Sequence, residues 1–92
     1  MRTKLVAALF VGMPGCDRDV ECHDVFERHG GEPGDSGSFL PSHERDVQYD
    51  VPADRARACV RELRARGFRV VVGEAAVQRY FVEQMAPRED QR

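Results

Sequence analysis

Ninety-two residues bound this chain to one small domain that can fold alone. Charged residues make up 33% of it, yet the formal net charge is −2, which removes any global case for nucleic-acid binding. No apolar run is long enough to span a membrane, and the odd number of cysteines (Cys16, Cys22, Cys59) fits a reduced, cytoplasmic setting better than a disulfide scaffold.

Lys4 to Val11 (KLVAALFV) is apolar on both faces of a strand. Leu5, Ala7, Leu9 and Val11 point one way; Val6, Ala8 and Phe10 point the other. Such a strand is central in its sheet and covered on both sides. The same run, with Arg2 and Lys4 before it and Pro14-Gly15-Cys16 after it, also resembles a bacterial lipoprotein signal with Cys16 lipidated. The run is short for that, and Pro14 sits awkwardly before the cleavage point, so the strand reading is preferred. Gly12 to Gly15 is a turn.

Asp17 to His29 reads as a helix with Asp17 as its N-cap. Cys22, Val25, Phe26 and His29 form its apolar stripe; Asp17, Asp19, Glu21, Asp24 and Glu27 form an acidic face. Gly30 to Gly37 (GGEPGDSG) resists regular structure, and it lacks the Lys-Ser/Thr of a phosphate loop. Ser38 to Leu40 starts a short strand, and Pro41 to Glu44 turns the chain into the next one as a hairpin.

From Asp46 to Val51, Val47, Tyr49 and Val51 alternate with Asp46, Gln48 and Asp50, the period of a strand with one buried face. Pro52 stops that strand and suits the first turn of a helix. Ala56, Cys59, Val60 and Leu63 are the helix's apolar stripe, with Arg57, Arg61 and Arg64 on one flank and Arg55 and Arg66 on the other. Gly67 stands where a C′ glycine belongs. Phe68 to Val72 is a β-branched strand. Counted from Asp17 to Ser36 there are seven acids against two arginines, and from Ala53 to Arg69 six arginines against two acids, so the two helices should be complementary side by side.

After Gly73, the stripe Ala76, Val77, Tyr80, Phe81, Met85 favours a helix over a strand. Residues 1–86 thus form the domain and 87–92 a polar tail. The order β-α-β-β-α-β with an additional C-terminal helix is the α+β, ferredoxin-like split βαβ arrangement, first and third strands central. Its two helices should cover one sheet face and leave Val6, Ala8, Phe10 and part of Val70–Val72 on the other, to be covered by the C-terminal segment, a second copy or a partner.

Gly30-Gly31-Glu32, Arg45-Asp46-Val47, Arg55-Ala56 and Gly67-Phe68-Arg69-Val70 together resemble the family of ribonuclease E activity regulator B. The resemblance covers about half the chain, from Val25 to Val72, and lacks the acidic C-terminal portion associated with that family. It implies a non-enzymatic regulator that binds a protein.

Catalytic chemistry has little support. Cys16, Cys22, His23 and His29 only approach zinc-ligand spacing, and on one helix Cys22 and His23 point about 100° apart. Cys59 sits on an apolar stripe, and Cys16, near a helix N-terminus, is the one candidate reactive thiol. The arginine flank of the second helix could meet phosphate or RNA, but Phe10 with Val6 and Ala8 is no base-stacking set. The expectation is a cytoplasmic, non-enzymatic protein without cofactor or metal. It binds another protein or a second copy of itself through Val6, Phe10, Val71, Tyr80 and Phe81. Two alternatives stand beside it. One is a phage-type anti-defence inhibitor, for example an anti-CRISPR, using the acidic face Asp17, Asp19, Glu21, Asp24 and Glu27. The other is a small RNA-binding domain.

Overall fold

A computed structural model describes residues 2–39 and 43–85. Leu40, Pro41 and Ser42, and the tail from residue 87, lie outside the described residues. The elements are β1 (Thr3–Val11), α1 (Asp17–Arg28), β2 (Glu32–Phe39), β3 (Glu44–Pro52), α2 (Ala53–Ala65), β4 (Arg69–Val72) and α3 (Glu74–Met85). The sheet order is β2-β3-β1-β4 with every neighbouring pair antiparallel. β3 and β4 therefore run in the same direction with β1 between them. This is the ferredoxin-like α+β fold, extended by a C-terminal helix.

Local chemistry explains the helix ends. α2 ends in a Schellman motif: Gly67, at φ +89, donates its N–H to the Arg64 carbonyl at 3.0 Å, and Phe68 donates to Leu63 at 3.1 Å. α1 ends the same way, through Gly30 to Glu27 and Gly31 to Phe26. Its start differs from expectation. Cys16, not Asp17, occupies the N-cap position and makes no side-chain capping bond. Of the two first-turn carboxylates, Asp17 and Asp19, it is Asp19 whose Oδ2 accepts the Gly15 N–H at 2.9 Å.

The glycine-rich stretch is also more ordered than its composition suggests. From Glu32 it pairs with β3, and a register shift between Pro33 and Ser36 absorbs the irregular residues. Gly34 lies so close to β3 that a Cβ would stand 3.2 Å from the Gln48 carbonyl oxygen. An edge strand tolerates such residues because only one side must be paired.

The main core lies between the sheet and the α1–α2 layer. Val6, Ala8 and Phe10 of β1 meet Val47, Tyr49 and Val51 of β3, under Cys22, Val25 and Phe26 of α1 and Cys59, Val60 and Leu63 of α2. Phe26 stacks on Tyr49 with centroids 4.4 Å apart, and Phe10 meets Phe68 edge-on at 5.5 Å. This reverses the face expected for β1: Val6, Ala8 and Phe10 lie under the helices. Register decides it, because Val6 is opposite Tyr49 and Ala8 opposite Val47, and cross-strand partners share a face.

The second face carries Leu5, Ala7 and Leu9. α3 packs on β1 and β4 there. Ala7, Leu9 and Val77 are buried and belong to a layer separate from the main core. Gly73, at φ +94, makes the reversal from β4 into α3, and its N–H donates to the Leu5 carbonyl at 2.7 Å. Phe10→Ala should therefore cost about 3–5 kcal/mol of stability, read from urea unfolding, and Phe10→Asp should leave the chain unfolded.

Candidate functional site

The acidic and basic helices do pair. At their seam Arg28 of α1 reaches Glu62 of α2 at 2.6 Å, His29 Nε2 lies 2.9 Å from the same carboxylate, and Arg66 joins it at 3.0 Å. Arg66 also meets Glu21 at 2.9 Å, and Arg18 donates to the Arg66 carbonyl at 2.8 Å while its guanidinium lies over the Phe68 ring. Hydrogen bonds from Arg28 and His29, reinforced by the charges of Arg28 and Arg66, hold the Glu62 carboxyl at about 2.

The five acids expected to form one face are divided. Asp19 is buried, and Arg45 Nε donates to it at 2.7 Å. Burial alone would raise its carboxyl, but the Arg45 and Gly15 hydrogen bonds and the charges of Arg45 and His23 outweigh that and lower it. Glu21 is taken up at the seam, and Asp24 pairs with Arg28 at 2.9 Å. Asp17 and Glu27 are exposed. Beside Glu27 the Tyr49 hydroxyl lies 2.7 Å from His23 Nδ1, and burial first, then the Glu27 charge, pushes it up to about 12.

The expected sheet-face surface is divided too. Val6 and Phe10 belong to the main core, whereas Val71, Tyr80 and Phe81 are half-buried. Tyr80 and Phe81 meet edge-on at 5.6 Å. Cys22 and Cys59 are core thiols that burial pushes up to about 12 and about 11. Among the described residues no three His, Cys, Asp or Glu side chains converge to hold a metal ion, and no helix is long and apolar enough to cross a membrane.

The outer flank of α2 is different. The 3.6-residue period aligns Arg57, Arg61 and Arg64 along one side of the helix. Opposite them stand Lys4 of β1 and Val72 of β4, and Ala53, Ala56 and Val60 line the floor. Together they enclose an open groove of about 760 Å³. Among the described residues no carboxylate pairs with Lys4, Arg57, Arg61 or Arg64; Arg64 only approaches the Val70 carbonyl, at 3.5 Å. Among the described residues no aromatic side chain lines the groove. Spacing alone identified the three arginines as a flank. Lys4 and Val72 were missed because only sheet pairing brings them beside α2.

Beside this groove β4 ends the sheet. Gly73 donates to Leu5, and Ala7 is opposite Val71. Residues 69, 71 and 73 therefore turn their main-chain groups toward β1, while Val70 and Val72 turn theirs to the open side.

No protein-family model matches the chain, and no curated protein matches it.

Asp19 and Glu62 are both held below their ordinary values, so each contributes stability that is present above that value and lost as pH falls. Urea midpoints should decline as the pH drops from 4.5 toward 2, and Glu62→Gln should flatten that decline. At neutral pH, Glu62→Gln should cost about 1 kcal/mol at the half-open seam. Asp19→Ala, which strands a buried guanidinium, should cost about 3 kcal/mol.

Proposed function

We propose that this chain is a small, non-enzymatic regulator or inhibitor that binds an acidic partner protein in the groove between α2 and β4. The observation that carries this reading is the set of four cations, Lys4, Arg57, Arg61 and Arg64, gathered without carboxylate partners among the described residues around an apolar floor. Cations held near apolar surface suit a partner that brings carboxylates and small apolar side chains together. A lining without aromatics among the described residues gives unstacked bases no platform, which favours protein over single-stranded nucleic acid. The resemblance to the ribonuclease E activity regulator B family supports the same class. Three free thiols, two of them buried, suit work in the cytoplasm.

The binding surface is therefore placed on the outer side of α2, away from Val6 and Phe10, which the core uses. The acidic face of α1 is a weaker candidate, since Asp19, Glu21 and Asp24 already have cationic partners.

The test is affinity capture from nuclease-treated lysate of the source cell, comparing the tagged chain with its Arg57→Glu/Arg61→Glu variant. One protein should be recovered in stoichiometric amount by the parent and reduced at least about tenfold in the variant, with the variant's melting temperature unchanged. Equal recovery by both proteins, or no protein recovered by the parent, would overturn the proposal.

A further inference from the structure

The groove meets the end of β4 at Val72, and Arg64, one of its cations, reaches the Val70 carbonyl on the edge of β4 that no described strand pairs, at 3.5 Å. Val70 and Val72 present their main-chain groups on that side of β4, and α2 holds its cations above the same side. We infer that the occupant is an extended acidic segment of the partner protein, which adds to β4 as a fifth strand. This rests on the groove being the binding site and adds the manner of binding.

The spacings agree. Along α2, Arg57 and Arg61 are about 6 Å apart in axial rise, at 1.5 Å per residue. Alternate residues of a strand are about 6.6 Å apart. A strand beside β4 would direct every second side chain toward α2, so carboxylates at alternate positions would meet successive arginines. Ala53, Ala56 and Val60 leave room above the strand because their side chains are short. Main-chain hydrogen bonds would supply affinity, and the alternating carboxylates would supply selectivity.

Charge argues against the obvious competitor, a second copy of this chain. An isologous β4–β4 pairing would set one copy's Arg57, Arg61 and Arg64 beside the partner's identical arginines, with like charges facing across the join. A segment rich in Asp and Glu reverses that sign.

The experiment uses the full chain and random-sequence peptides displayed on phage. The best binder is then synthesised, both unmodified and N-methylated at alternate residues. Selected peptides should carry Asp or Glu at alternate positions. N-methylation in the register that blocks pairing should weaken binding about tenfold or more, while the other register should not. On binding, the Val70 and Val72 amides should gain at least about tenfold protection from hydrogen exchange. Val70→Pro removes an outward-facing donor and should weaken binding similarly. The N-methylated peptides give the same information without altering the protein.

Binding that Arg57→Glu/Arg61→Glu abolishes, but that N-methylation in either register leaves intact, would overturn strand addition and leave the groove reading standing. Binding indifferent to the arginines would overturn both. Selected peptides without alternating acids would overturn the inference. So would a concentration-dependent dimer of the free chain that Val70→Pro dissolves, because it gives the edge to a second copy.

Discussion

The pairing of β1 with β3 is the constraint on which the rest of this structure depends. β1 alone accepts either orientation, since both of its faces are apolar. β3 does not: Val47, Tyr49 and Val51 demand cover, while Asp46 and Asp50 reject it. Setting Val6 against Tyr49 and Ala8 against Val47 transfers that choice to β1. The other set, Leu5, Ala7 and Leu9, then needs a cover of its own, and α3 supplies it over β1 and β4. The second sheet face is divided as a result, with an apolar half under α3 and a polar half on β3. There Asp46 is half-buried, and burial raises its carboxyl.

Electrostatics then separates the two flanks of α2. On the α1 side Glu62 collects Arg28, His29 and Arg66 within about one carboxylate's reach, and Glu21 takes a second bond from Arg66. That flank is saturated, and its ions serve the packing of one helix on another. Among the described residues the opposite flank receives no carboxylate partner. Its neighbours there are β1 and β4, which contribute Lys4 and Val72 to the groove, with Asp50 and Glu74 lining the adjoining cavity without pairing to Lys4 or the three arginines. The chain is nearly neutral overall, yet Arg57, Arg61 and Arg64 form no ion pair among the described residues. Such a local field would select a partner far better than net charge would.

Most of the architecture was legible in the sequence because each element carries its own period. The alternation of Val47, Tyr49 and Val51, the stripe Ala56, Cys59, Val60 and Leu63, and the glycine after α2 all act locally and appear locally. What was not legible depends on relations between strands. The face of β1 is set by register, which no single strand records when both of its faces are apolar. Asp19 reads as one more acid on a solvated helix face; only the fold reveals that Arg45, distant in sequence, reaches it inside the protein. β2 looked unstructured because glycine and proline weaken a strand's own preference, and β3 provided the ordering partner. The candidate groove was half legible. Its arginines share one helix, while Lys4 and Val72 come from two strands that meet only in the sheet.

The two edges of this sheet manage their exposed main chain differently, and the difference bears on function. β2 carries Pro33, two glycines (Gly34 and Gly37) and a shifted register, features that make an edge a poor template for further pairing. β4 has neither proline nor bulge. It is protected by its shortness, four residues, and by Arg64 near the Val70 carbonyl. Shortness limits indiscriminate pairing, and the arginines repel any edge that carries the same charges. Neither device repels an acidic strand. The flank that would set like charges face to face in a second copy is thus the flank that would admit a partner of opposite charge. Under the proposed reading, one row of arginines on α2 would both disfavour self-pairing and recognise the partner.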